Sequence, residues 1–412
     1  MDTDLKKKIF EKIEGYRDEM IELQSKLTAI PALGPTNDGE GEAKKAAFIK
    51  EWMEKEIGFD ELEQHDSPDD RVPSGSRPNI VAIVKGASNA KRIWVMAHTD
   101  IVPPGELSLW DSDPYTVKVE DGKIYGRGVE DNQHGMVTPL FALKALKELG
   151  VTPAFDIGLA FVADEETGSE HGIQYLIEHH DVFNKEDLII VPDAGLPDGS
   201  MIEVAEKSIY WLKVETKGKQ CHASSPEQGV NAHKAAAHLI TRIGKLYEIY
   251  NQKDEVFDPP MSTFEPTKKE SNVPNINTIP GDDVFYVDMR VLPEIKLQEV
   301  HETIEKMAKE VEKEFGVTIS LSSAQREEAA PATPTDAPVV TALAAAIKDV
   351  YGVEAKPMGI GGGTVAAFFR RKGFHAVVWS KIDELAHQPN EYTHIDNMVG
   401  DAKVFAHLFT RE

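Results

Sequence analysis

The sequence predicts an α/β fold: a mostly parallel-sheet domain interrupted by a smaller α+β sandwich. Three observations carry this. Up to about residue 205, apolar strand-like runs alternate with helical periodicity, the pattern of a parallel sheet with helical crossovers. The order then becomes strand–helix–strand–helix–strand. Finally, a proline-bearing linker, EEAAPATPTDAP, leads back to a helix and another apolar strand. The expected boundaries are 1–205 and 330–412 for the larger domain and 206–329 for the insert, read as a lid or dimerisation module.

Ile9, Ile13, Tyr16, Met20, Leu23 and Leu27 recur at helical spacing, which predicts a helix over the first 30 residues, ended by Pro31, Gly34 and Pro35. A second amphipathic helix is expected from Ala43 to Ile57, closed by Gly58. NIVAIVKG and RIWVMAHTD are Ile- and Val-rich strands. MVTPLFALKALKELG is a helix ending on Gly150, DIGLAFVADEE a strand, Gly172–His180 a helix and LIIVPDAG a strand. In the insert, SIYWLKVETKG is a strand, a long helix begins at Asn231, VFYVDMRVLP alternates as a half-buried strand, IKLQEVHETIEKMAKEVEKEFG is a second long helix, and VTISLSS closes the unit. FHAVVWS is a last strand of the larger domain.

Composition excludes several classes of partner. The 412 residues carry 70 acidic and 45 basic side chains, a formal charge of −25, which repels phosphate backbones and anionic membrane surfaces. At 41% hydrophobic residues the chain can build a core. Cys221 is the only cysteine and fits a reducing compartment. The N-terminal MDTDLKKKIFEKIEGY has no apolar leader core, and no run approaches 18 apolar residues, so a cytoplasmic protein is expected.

Three predicted strands end on polar groups: RIWVMA on His98 and Asp100, GLAFVAD on Glu165 and Glu166, LIIVP on Asp193. In an open parallel sheet, ligands collect beyond the carboxyl ends of the strands. YGRGVEDNQHG adds Asp131 in a Gly-rich loop, and ELAHQPNEY adds His387. Taken singly, each acid is a helix cap or solvated loop residue and each histidine an ordinary polar side chain. Converging on one edge, they repel one another unless a cation compensates them. Imidazole with carboxylate suits Zn²⁺, or Mn²⁺ or Co²⁺ at the same geometry. Five ligands exceed the three of a simple catalytic zinc, whereas a carboxylate shared by two metals about 3.5–4 Å apart would use them all.

Together, HTD at 98–100, GRGVEDN around Asp131, the Glu165–Glu166 pair, PDAG with Asp193 and the late His387 resemble the di-zinc aminoacylase/carboxypeptidase family of metallohydrolases. That family includes succinyl-diaminopimelate desuccinylase, acetylornithine deacetylase, glutamate carboxypeptidase and cytosolic dipeptidases. The resemblance implies two divalent ions, Zn²⁺ first and Co²⁺ or Mn²⁺ as alternatives. It implies Asp131 as bridging ligand, His98 and Asp193 on one metal, Glu166 and His387 on the other. It further implies Asp100 as support for His98, Glu165 as general base toward a water between the metals, and hydrolysis of an amide bond in an N-acyl amino acid or short peptide. In the insert, His222 resembles the histidine that stabilises the oxyanion across a homodimer. Asn277, Arg290 and the glycines Gly362 and Gly363 resemble substrate-binding positions. Arg290 taken alone is a strand-face arginine paired to a neighbouring acid. Where the late glycine motif of the family often continues with an acid, this chain has Val365. His134, His171, His179 and His180 carry no spacing that demands a role. A biosynthetic deacylase is the alternative to a peptidase, and a non-catalytic metal-binding scaffold is the alternative to an enzyme.

Overall fold

A computed structural model describes residues 3–411. They form two compact units, one made of the chain up to Val204, Thr333–Pro357 and everything from Phe368 onward, the other of Ala205–Ala332 and Met358–Ala367. The strands Met201–Glu206 and Lys356–Ile360 carry the chain from one unit to the other. The segment Met358–Ala367, grouped with the larger domain by sequence, clusters instead with the second unit. Its backbone is tied there: Gly359 bridges Phe257, and Thr364 is held through its N–H (2.9 Å) and hydroxyl (2.5 Å) by Glu206.

In the first unit an eight-stranded sheet has its parallel pairings at the centre. Phe155–Val162, Ser88–His98, Leu188–Val191 and Ala376–Val378 run parallel, in that order. Antiparallel strands flank them, among them Ser76–Val84 beside Phe155–Val162, and Glu61–Pro68 beyond that. The central strands are buried on both faces, which explains their continuous Ile, Val and Leu runs. Gln133–Glu148 packs on the strand Ser88–His98 and against the C-terminal helix Ile395–Phe409. Gly158 permits the close approach of Trp94, because a Cβ there would lie 2.3 Å from the indole.

The single N-terminal helix predicted from periodicity is two, Thr3–Glu14 and Arg17–Thr28. The apolar positions keep their register because Tyr16, at the break, is buried and tilts against Phe141 at 5.3 Å. Gly15 weakens the helix at this point.

The second unit is a four-stranded antiparallel sheet in the order Thr263–Lys269, Asp282–Val291, Ser208–Lys217, Thr318–Glu327. Helices Ala232–Ile243 and Leu297–Phe315 pack on each other and on the sheet, covering the face of Tyr210, Leu212 and Val214. Asn231 caps the first helix by accepting from the Lys234 N–H at 2.9 Å. The strand Thr263–Lys269 escaped the sequence pattern because it is an edge strand, mostly polar and broken in register at Pro266.

One buried ion pair in the first unit gives a stability test. The Arg370 guanidinium forks onto the Glu203 carboxylate at 2.8 and 2.7 Å, with both residues buried. Arg370→Met removes the guanidinium fork from the buried Glu203 carboxylate, and should lower unfolding free energy by about 3–5 kcal/mol in urea titration. A loss under about 1 kcal/mol would contradict a fully desolvated pair.

Candidate metal centre

His98 is the last residue of its strand, and its side chain is fully buried. Nδ1–H donates to the Asp100 carbonyl oxygen at 3.0 Å and lies 3.4 Å from Asp100 Oδ1. This leaves Nε2 facing the sheet edge, 2.9 Å from Asp131 Oδ1 and 3.5 Å from Asp193 Oδ1. Asp193 follows the strand Leu188–Val191 by two residues, and its Oδ1 accepts from the Asn132 side-chain amide. The other oxygen of Asp131 lies 3.4 Å from Nε2 of His387, which is 3.0 Å from Glu166 Oε2. One carboxylate therefore faces two histidines, one through each oxygen. Ligand atoms of His98, Asp131 and Asp193 lie within 4.8 Å of one another, as do those of Asp131, Glu166 and His387.

Glu165 and Glu166 form a short turn, Glu165–Thr167, just beyond the strand Phe155–Val162. The Asp100 carboxylate also accepts from the backbone N–H of Glu165 at 3.1 Å and of Glu166 at 3.0 Å, so it supports that turn as well as the imidazole. Glu165 Oε2 reaches to 4.0 Å from His98 Nε2. Below the turn, buried Arg77 donates to Glu42 at 2.6 Å and lies 3.3 Å from Asp164, the residue before Glu165.

Several supporting residues carried no sequence signal. Glu391 and Glu130 bond backbone N–H groups of remote loops, and Asn132 bonds Asp193. His134, which spacing left without a role, is buried between Thr393 Oγ1 at 2.8 Å and Asp401 Oδ2 at 2.9 Å. His171 Nδ1 meets Ser67 Oγ at 3.0 Å. In each case the partner is distant in sequence.

The charges are strongly coupled. Burial opposes a charged His98, yet Asp193, Asp100 and Asp131 hold its pKa well above the usual histidine value. Asp131 and Glu166 raise His387 to about 10. Burial drives Glu165 well above the ordinary carboxyl range, helped by Asp193, Glu166 and Asp131 and opposed by His98. Burial also brings Glu166 to about 7, against the hydrogen bond from His387. Asp131 moves the other way, because hydrogen bonds from His387 and His98 outweigh its burial. Without a metal, then, the cluster balances its carboxylates with protons. Glu166 Oε1 is buried with no hydrogen-bond partner. That orphaned oxygen, the mixed imidazole–carboxylate donor set and the crowding of acids all fit divalent cations.

The remaining candidates belong to the second unit. His222 is exposed on the short strand Cys221–His222, and its Nδ1 accepts from the Ser224 N–H at 3.2 Å. Asn277 is exposed, and its carbonyl accepts from the Ala223 N–H at 2.8 Å. Arg290 donates to Asp288 at 2.8 and 3.0 Å and to the Gly361 carbonyl at 2.8 Å. The paired-strand arrangement thus exists, and it uses part of the guanidinium fork. Gly362 has nothing within 4 Å of where a Cβ would stand, and at Gly363 only Ile209 approaches, at 3.9 Å.

Imidazole and carboxylate groups gathered at strand ends and loops on one edge of a parallel sheet form a candidate metal centre. Residues 94–411 match the model of peptidase family M20/M25/M40, and the chain belongs to that family. A metallohydrolase of Methanococcus maripaludis is 41% identical over 414 residues, covering 95% of this chain and 99% of that protein. A succinyl-diaminopimelate desuccinylase of Nautilia profundicola is 26% identical over 378 residues, covering 91% and 94%. Among solved structures, human carnosine dipeptidase 1 superposes with a TM-score of 0.72 over 98% of each chain at 18% identity, which shows a shared fold. No helix among the described residues is long and apolar enough to cross a membrane.

The protonation pattern predicts the pH dependence of metal uptake. His98 and His387 both have raised pKa values and carry protons at pH 7, whereas a metal ligand must be neutral imidazole. Adding Zn²⁺ to metal-free protein in weak buffer at pH 7 should release at least about two protons per chain when both positions fill, the two imidazoles giving two and the raised Glu166 and Glu165 adding to them, with affinity falling as pH is lowered. Uptake without proton release would contradict these protonation states.

Proposed function

We propose that the chain is a two-metal amidohydrolase that cleaves the amide bond of an N-acyl amino acid or short peptide bearing a free carboxylate. The observation that carries this is the sharing of Asp131 between two ligand sets, with Glu165 beside them. His98 and Asp193 are assigned to one metal, Glu166 and His387 to the other, and Zn²⁺, Co²⁺ or Mn²⁺ suits the set. When bound, such ions acidify a water and polarise the scissile carbonyl.

The remaining chemistry falls to the chain's own residues. Glu165 is the base that takes a proton from the attacking water and delivers it to the leaving nitrogen, and its carboxylate reaches to 4.0 Å from His98 Nε2, beside both ligand sets. Asp100 fixes the Glu165–Glu166 turn and the Nδ1–H tautomer of His98, so that Nε2 is the ligating atom. His222 is assigned the oxyanion: with Nδ1 accepting from Ser224, the neutral ring carries its proton on Nε2, ready to donate. Arg290, held by Asp288, is assigned to the substrate carboxylate together with Asn277 and the open backbone at Gly362 and Gly363. A homodimer through the second unit is proposed as the form in which His222 acts. A biosynthetic deacylase is the second reading, supported by the likeness to the desuccinylase.

Steady-state assays on N-succinyl-diaminopimelate, N-acetylornithine and a dipeptide panel, each with Zn²⁺, Mn²⁺ and Co²⁺, test the reaction class, and silence on all three sets would reject it. Glu165→Gln should lower kcat by about 10²–10⁴-fold at nearly unchanged metal content. Full activity in that variant would remove Glu165 from the mechanism. His222→Ala should lower kcat by about 10²–10³-fold. If His222 acts across a dimer, mixing that variant with Arg290→Ala recovers part of the activity, and no recovery rejects sharing.

A further inference from the structure

The two metal positions are built differently. His98 ends one central strand of the parallel sheet and Asp193 follows another, so hydrogen-bonded ladders set their places. His387 sits on a loop, at a left-handed φ of 65°, with its side chain 57% exposed. What holds that loop is a reciprocal pair of carboxylates. Glu391, at its end, accepts from the backbone N–H of Gly128 at 3.0 Å, Glu130 at 2.9 Å and Asp131 at 3.1 Å, and from Arg127 at 2.6 Å. In return Glu130, beside Asp131, accepts from the N–H of Asp383 at 3.0 Å and of Leu385 at 2.5 Å. Each loop thus presents a buried carboxylate to the backbone of the other, and Tyr392 pairs with Tyr125 alongside.

We propose that Glu130 and Glu391 are positioning residues that set the Asp131–His387 separation, and thereby govern the affinity of the Asp131–Glu166–His387 position more than that of the His98–Asp131–Asp193 position. This rests on the two-metal reading above. The position is the weaker and more exchangeable of the two, because its histidine depends on five loop N–H bonds rather than on a strand. Of its other ligands, Glu166 is supported by Asp100 through the turn amide, while Asp131, shared with the first position, is itself seated by Glu391 through its N–H at 3.1 Å.

Glu130→Gln keeps the side chain's volume and replaces one acceptor oxygen by an N–H₂ that faces a backbone donor. Glu391→Gln removes half of the clasp from the opposite loop while an amide oxygen stays available to Arg127. Both variants, stripped of metal and matched to wild type by circular dichroism and melting temperature, are titrated with Zn²⁺ by calorimetry, with metal per chain counted after dialysis. The expected result is a second equivalent weakened by about 10–100-fold and a first equivalent weakened markedly less. Two equivalents bound with wild-type Kd values in the folded variants, or equal weakening of both, would overturn the clasp. A wild-type chain that takes up a single equivalent would instead overturn the two-metal reading itself.

Discussion

The constraint on which the rest depends is the gathering of acids around Asp131. Asp131, Glu165, Glu166 and Asp193 converge, with Asp100 behind them, and two imidazoles lie among them. Two carboxylates 4 Å apart at an effective dielectric of 20 repel by about 4 kcal/mol. No folded chain tolerates several such pairs for packing reasons alone. The crowding raises the proton affinity of His98, His387 and Glu165, and divalent ions would supply a larger and better placed positive charge. The formal charge of −25 counts these acids together with the solvated surface, although they do a different job.

The architecture supplies the convergence. Parallel strands bury both faces and leave their carboxyl ends as places where polar side chains meet. The same polarity that makes each strand a continuous apolar run makes its end conspicuous. His98 ends such a run, Asp193 follows one by two residues and the Glu165–Glu166 pair by three, and all could be read from them. Asp131 and His387 come from loops, and they were legible only because their motifs stand in order with the others.

The supporting residues were not legible, for physical reasons. Glu391 bonds backbone amides some 260 positions away, and a backbone donor leaves no mark in the sequence. His134 is buried between partners on elements far along the chain. The pairing of Arg290 with Asp288 was, by contrast, readable: residues two apart on a strand share a face. The N-terminal helix was misread as continuous because the apolar periodicity runs through the break, with Tyr16 buried in step with its neighbours.

The central claim is that one carboxylate serves two metal positions. The most direct measurement is Zn²⁺ per chain after equilibrium dialysis of Asp131→Ala beside Asp193→Ala and Glu166→Ala. The account predicts that Asp131→Ala loses both ions, while each of the other two loses one. An Asp131→Ala protein that keeps one ion at wild-type affinity would contradict it.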